Sequence, residues 1–474
     1  MTFPNATLRK SISAPQYFAV AFGSVVGVAW IMIMGDAVAK AGPGGTALAL
    51  LIGGLGVLLV AFCYAEMAAR LPAAGGELVY AQALGGSGAA YSTGWTLALV
   101  YTAACAFQAI SIGQLLALLF PGIEGPVAYH ILGQDVRLGS LVIGAALTIG
   151  FYVIAIRGVR GSAVTQEWIT YLRILLMVGF LAIAIWYADP ANLLPLIPGE
   201  TSKVKFWAFV SMLGTAPFWF AGFNSAATAS EECSTSMASA GRALILAVVG
   251  SAVFYIMLVL SVSALVPVST LMRLPIPAAQ AFEISMGTPI VAKIVLITAI
   301  LGSLSAWNAL LLAGSRVYFA LGRASLSPTS FAQLNIKGAP NVAIGLMTVA
   351  TLLAMMLGKG FILPIVNIIS VCFGVTYVAT CLAVLKLRKT GEPSSYVAPG
   401  GTMLVMVAVI FSATIAIVAF VQPLYASGGQ VPPEWITLGS WCMVSTAFWI
   451  AARGNIKSLS NEQRMNILRG KGSS

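Results

Sequence analysis

The sequence predicts an all-α membrane protein with twelve transmembrane helices. Of 474 residues, 59% are hydrophobic and only 8% are charged, against about a quarter charged in soluble domains. The mean hydropathy is +0.94, and apolar runs of about 20 residues, long enough to cross a bilayer, recur along nearly the whole length. The basic residues fall mainly in alternate loops, as they do when one side of the membrane retains them. Lipid is the solvent such a chain is built for.

Windowed hydropathy places the spans at 16–38, 46–69, 89–120, 138–157, 165–188, 205–230, 242–267, 289–321, 341–358, 362–386, 402–422 and 434–452. The polar stretch Met1 to Ser13 precedes the first, whose apolar run is longer than a signal-peptide core. It reads as a retained helix. The third and eighth spans exceed a bilayer's thickness and are expected to tilt or project. Pro121 to Arg137 and Leu265 to Thr288 contain enough Pro and Gly to be caps or re-entrant gates.

With both termini cytoplasmic, seventeen Lys and Arg lie inside, seven lie outside, and Arg173 lies within the fifth span. The divisions that follow are a cytoplasmic tail over 1–15, helices 1–5 over 16–188, helices 6–10 over 205–386, a final pair over 402–452, and a cytoplasmic tail over 453–474.

Composition excludes several classes of function. The formal charge of +11 is spread over short loops and is not gathered into a groove, which argues against nucleic acid as a partner. The cysteines at 63, 105, 233, 372, 381 and 442 show no C-x-x-C spacing, and His130 is the single histidine, so no metal-ligand set is expected. The phosphate-binding pattern G-x-x-x-x-G-K-[ST] is absent, which argues against an ATP-driven pump. No cluster of catalytic polar groups stands at an interface and no cofactor motif occurs. An enzyme is not expected.

The first and sixth spans carry the functional signal. Gly23 and Gly27 interrupt the first; Gly214, Pro217 and Gly222 interrupt the sixth. Glycine eases unwinding and proline removes a backbone bond, so both segments can expose N–H and C=O groups at the midplane. Lipid tolerates bare backbone only where it lines a cavity or binds something. Paired breaks five spans apart point to two five-helix repeats, which an odd helix count sets in inverted topology, and to a solute site between them. Helix packing is the plainer reading of either glycine pair alone.

These residues resemble the amino acid–polyamine–organocation permeases, of the LeuT-type 5+5 inverted-repeat fold with broken helices 1 and 6. The family's first break, often G-S-I-I-G-S-G-I-F, is similar to Gly23-Ser24-Val25-Val26-Gly27-Val28-Ala29-Trp30-Ile31. The stretch Tyr64 to Tyr80, with Glu66, Arg70, Pro72, Gly75, Gly76 and Glu77, resembles its first cytoplasmic loop. Further matches are Phe220 to Asn224 followed by Glu231-Glu232, Ser315 to Arg323, and Leu385 to Arg388.

The resemblance implies a substrate carboxylate facing the backbone of Val26, Gly27, Val28 and Ala29, and an ammonium facing carbonyls near Phe22, Gly23, Phe218 and Ala221, beside Gly222. Phe218 matches an aromatic gate, which Trp219 can share. Val28-Ala29 replaces the family's Ser-Gly and crowds this break. A substrate without a carboxylate therefore stays open. Asn224 stands where many relatives have an acid, which disfavours cationic substrates. Arg173 resembles a lysine that stands at the cation site of sodium-coupled members, bridging the first and eighth helices.

Other polar residues complete the candidate set. Gln108 and Tyr101 on the third helix, and Ser303, Ser305 and Asn308 on the eighth, can line a central cavity. Glu66 is spaced to pair with Arg70, and Asp36 with Lys40; Arg173 is the internal cation, and Asp36 or Glu66 the carboxylate through which any proton coupling would run, since arginine keeps its proton. A snorkelling arginine is the plainer reading of Arg173. The function expected is secondary transport of a small neutral amino acid. An organic amine permease, for ethanolamine or a polyamine, is the alternative, followed by a non-transporting sensor or channel.

Overall fold

The computed structural model describes residues 12–73, 75–120, 122–157, 162–228, 230, 233–391 and 393–470. Residues 1–11 of the N-terminal tail, Arg160, Glu231-Glu232 and Lys471 lie outside the described residues. Among the described residues the regular structure is helical apart from one small hairpin, and nine helices are long and apolar enough to cross a membrane.

α1 (Ala14–Val25) opens on a capping box in which Ser13 and Gln16 satisfy each other's backbone N–H groups. It stops at the first break. α2 (Ala29–Arg70) then runs 42 residues with a corner at Gly42, whose φ of 72° suits glycine. Pro43 follows without an N–H, and the N–H groups of Gly44 and Gly45 donate to the Leu196 carbonyl at 2.8 and 3.3 Å. These bonds satisfy the start of a second helix inside α2. The corner falls between the first and second expected spans.

α3 (Glu77–Leu119) bends at Gly86, separating a short first piece from a long second one. Beyond it, β1 (Val127–Ile131) and β2 (Gln134–Arg137) form an antiparallel hairpin where a cap or gate was expected. Leu132 and Gly133 both have positive φ, the geometry of a two-residue type I′ turn. His130 sits on it, exposed, 2.7 Å from Asp135.

α4 (Leu138–Ile156) and α5 (Ser162–Trp186) follow. The expected sixth span is divided into α6 (Ser202–Leu213), α7 (Ala216–Trp219) and α8 (Ser225–Thr228). α9 (Met237–Ser263) is continuous, and the second stretch expected as a cap holds α10 (Val268–Leu271) and α11 (Pro277–Met286). α12 (Ile290–Arg323) has 34 residues, about 50 Å at 1.5 Å per residue. It exceeds a bilayer, as expected of the eighth span.

α13 (Asn341–Met355), α14 (Ile362–Lys389), α15 (Gly401–Ala426) and α16 (Pro433–Lys457) complete the long elements. α2 packs on α9, α3 lies against α12 and α14, and α1 contacts α5, α9 and α12. On α15, Met403, Met406, Ile410 and Ile417 are exposed, an outward apolar stripe at helical spacing that suits lipid contact.

Two polar assemblies tie the helix ends. Glu66 accepts from Arg70 and Arg388, the latter at 2.5 and 2.9 Å, and from the Ala398 N–H at 2.9 Å. The expected Arg70 pairing is present at 2.8 Å, and Arg388 extends it into a clamp between α2 and α14. α17 (Asn461–Leu468) docks on α3 and α12. Its Arg464 donates to the Ala324 and Ile456 carbonyls at 2.8 Å and to the Ser87 hydroxyl, and its Asn461 accepts from Gln82 and Ser87 beside the Gly86 bend.

Candidate substrate site between the helix breaks

The two breaks meet. At the first, Gly27 N–H turns back to the Val25 carbonyl at 2.9 Å, and α2 restarts at Ala29 with its first N–H groups lacking intrahelical acceptors. At the second, φ of Gly222 is 110°. A Cβ there would lie 2.7 Å from the backbone of Ser24. Ser24 and Ser225 hydroxyls also bond at 2.9 Å. The space beside Gly222 is filled by the other break, so this glycine permits the close approach of two backbones.

A cavity of about 30 Å³ lies between the breaks, α3, α12 and α14. Of the expected site residues, Gly27, Val28, Ala29, Gln108, Phe218 and Ala221 line it. Phe22, Gly23, Val26, Gly222, Asn224 and Ser305 do not. The Phe22 and Phe218 carbonyls already accept the N–H groups of Val26 and Ala221 at 2.9 and 3.0 Å. Ser24, Phe107, Leu310, Ile369 and Phe373 line the cavity without having been expected. On α3 the lining residues Val100, Ala104, Phe107 and Gln108 follow the i, i+4, i+7, i+8 face of a helix. That face could have been read from Gln108 alone.

The lining is apolar except for Ser24 and the Gln108 amide, and it holds no charged side chain. Gln108 Oε1 accepts from the Ser303 hydroxyl at 2.8 Å, and Nε2 lies 3.0 Å from where a Cβ on Gly27 would stand. One amide donor is thereby held at the first break. Phe218 packs edge-on against Phe107 at 5.1 Å. Trp219 does not share the gate position. It is fully buried against Tyr255, whose hydroxyl donates to the Val25 carbonyl at 2.8 Å.

Arg173 is 1% exposed, so it does not snorkel. Its guanidinium donates to the Val26 carbonyl and, at 3.4 Å, to the Gly302 carbonyl, joining the first break to α12. A Cβ at Gly302 would meet the Gly27 oxygen at 2.9 Å and the Arg173 guanidinium carbon at 3.5 Å. Gly302, not singled out from the sequence, makes room for that bridge. Asp36 and Lys40 are both exposed on α2, and no ion pair joins them within 4 Å. Glu66 is held in its clamp, which is no part of the cavity lining.

A second cavity of about 470 Å³ shares α3 with the first and is lined there by Ala109, Ile110 and Gln114. Glu124, Arg137 and Lys359 rim it, with Glu124 and Arg137 paired at 3.1 Å.

Comparison with known proteins agrees with this architecture. Residues 12–448 match the profile of the family described as "Amino acid permease". The branched-chain amino acid permease BcaP of Bacillus subtilis is 26% identical over 85% of this chain and 87% of its own length. The protein of the same name from Lactococcus lactis is 25% identical over 93% and 94%. A methylthioribose transporter of Bacillus subtilis is 26% identical over 69% and 70%. The chain belongs to the amino acid permease family, and its long apolar helices are those of a multi-pass membrane protein that carries a small-molecule substrate.

Proposed function

We propose that this permease is a secondary transporter of neutral, apolar amino acids of the branched-chain class, working by alternating access in the cytoplasmic membrane. The observation that carries the reading is the cavity between the breaks: its walls are aliphatic and aromatic, one amide donor and the start of α2 offer hydrogen bonds to a carboxylate, and no acid is present to hold a second cation. Two relatives named for branched-chain amino acids fit such walls. At about 30 Å³ the cavity has room for roughly one water, so the walls must part for an amino acid to enter. The 470 Å³ cavity one turn further along α3 is the approach from the outer side.

The reading includes twelve spans, with inverted repeats over 16–188 and 205–386, a final pair over 402–452 and both termini cytoplasmic. The corner at Gly42, which divides α2, the broken pieces in the first and sixth positions and the inside excess of basic residues support it. Arg173 acts as a permanent internal cation between the first break and α12, so transport needs no sodium.

The test is uptake of radiolabelled leucine, isoleucine and valine into liposomes holding the purified protein, with alanine, arginine, ethanolamine and methylthioribose as competitors. Saturable uptake of the branched amino acids, inhibited weakly by arginine and ethanolamine, is expected. Uptake of ethanolamine, arginine or methylthioribose in preference to leucine would overturn the substrate assignment.

A further inference from the structure

A carboxylate outside the cavity is unaccounted for by substrate binding. Glu77, the first residue of α3, is 1% exposed. Its Oε1 accepts from the Asn224 amide at 2.5 Å and from the Tyr64 hydroxyl at 3.2 Å. Its Oε2 is buried with no hydrogen-bond partner among the described residues, and so is Asn224 Oδ1. Among the described residues, no Lys or Arg nitrogen comes within 4 Å of it. This contrasts with Glu66, which two arginines and an N–H neutralise.

Among the described residues, the side chains that hydrogen-bond to Glu77 are uncharged, and the rings packed around them include tyrosines. α2 contributes Tyr64; α3 itself contributes Tyr80, with Tyr17 of α1 behind it, and Tyr101; α14 contributes Tyr377, with Cys381 beside Tyr64. Arg316 of α12 faces Tyr101. An ionised carboxylate so enclosed has the α3 N-terminus and two hydrogen bonds in its favour, and the loss of water and an unsatisfied oxygen against it. Neither form is served completely, which is the condition for a site that gains and loses a proton during a cycle.

We propose that Glu77 is the proton-binding site that couples this transporter to a proton gradient, with Asn224 as its sensor. The proposal rests on the transport reading above and replaces Asp36 and Glu66 as the coupling carboxylate. The step is a simple protonation: one proton from the outer compartment bonds to Oε2, the side chain goes from charge −1 to 0, and the same proton leaves on the cytoplasmic side after the substrate. Asn224 is suited to both forms. Its Nδ2 donates to the carboxylate and to Tyr101, the latter at 3.1 Å; turned over, its Oδ1 accepts from the carboxylic acid. Asn224 ends the non-helical stretch between α7 and α8, and its neighbour Ser225 is bonded to Ser24 of the first break. Proton binding thus changes what holds the second broken helix, next to the bond that joins the two breaks.

The experiment uses the full-length protein in liposomes with radiolabelled leucine as probe, comparing accumulation driven by an imposed pH gradient with leucine–leucine counterflow. Wild type is expected to accumulate leucine at least tenfold under an inward proton gradient. Glu77→Gln, a mimic of the protonated form, is expected to lose that accumulation while still catalysing counterflow. Glu77→Asp guards against misfolding of the glutamine variant: it is expected to keep gradient-driven uptake with a displaced pH profile. Gradient-driven accumulation by Glu77→Gln, indifference of the wild type to the gradient, or a Glu77→Asp pH profile superimposable on wild type would each overturn the assignment. Wild type that moves no leucine in either assay would instead overturn the transport reading on which it rests.

Discussion

Replacing Gly222 with alanine tests whether the two breaks are held in contact. The added Cβ meets two obstacles. The φ of 110° at this residue is one that L side chains rarely adopt, at a cost of about 1–3 kcal/mol. The methyl carbon would also stand 2.7 Å from the carbonyl group of Ser24, where an unstrained contact needs about 3.5 Å, and relieving such overpacking costs about 1–3 kcal/mol more. Because the obstacle is backbone, no side-chain rotation relieves it, and the breaks must move apart. A loss of about 3 kcal/mol, roughly a hundredfold in the folded-to-unfolded ratio, is expected. Thermal unfolding of the purified protein in detergent, followed by tryptophan fluorescence, measures it. Gly179→Ala is the control, because that α5 glycine has nothing within 4 Å of its missing Cβ. If Gly222→Ala unfolds at the same temperature as wild type and the control, the close approach of the breaks is wrong.

Three further substitutions address neighbouring parts. Arg173→Ala removes both bonds between the first break and α12 and should reduce uptake at least tenfold, while wild-type uptake stays the same with or without a sodium gradient; sodium-driven accumulation would contradict the fixed-cation role. Glu66→Gln leaves two arginines facing a neutral group and should cost about 3 kcal/mol in the same unfolding assay, with a KM for leucine close to wild type. Gln108→Leu removes the amide donor at the first break and should raise the leucine KM about tenfold, the worth of one good hydrogen bond; an unchanged KM would remove Gln108 from the site.

Local patterns made much of this legible. Apolar runs located α4, α5, α9 and α12 to α16 to within about five residues, while α2 runs through two expected spans and α3 begins at Glu77, well before its expected start at 89. Gly27 and Gly222 fall at the interruptions of the first and sixth segments, and the spacing of Glu66 and Arg70 predicted their pairing. Facts that depend on distant residues were not legible. Arg388, the second partner of Glu66, is 322 positions away, and nothing near Glu66 announces it. Glu77 read as part of a loop motif because its isolation from water depends on Asn224, 147 positions away. Trp219 and Phe218 are adjacent aromatics, yet only a helical turn's geometry decides that one faces the cavity and the other Tyr255. The close approach of Ser24 to Gly222 was not legible either, because it joins residues 198 positions apart. The hairpin over 127–137 escaped notice because prolines and glycines around a short alternating strand read as a cap.

The docking of α17 has a consequence for biogenesis. Residues 461–468 are synthesised after every helix they join, so while the ribosome is still making α16, the bend at Gly86 lacks Asn461, and the end of α12 lacks Arg464. Until then Gln82, the Ser87 hydroxyl and the Ala324 carbonyl must find water or lipid headgroups as partners. The ends of α3 and α12 that meet α17 are therefore sealed only by a late step, and polypeptides released before residue 461 should carry an unsealed edge that quality-control proteases can recognise.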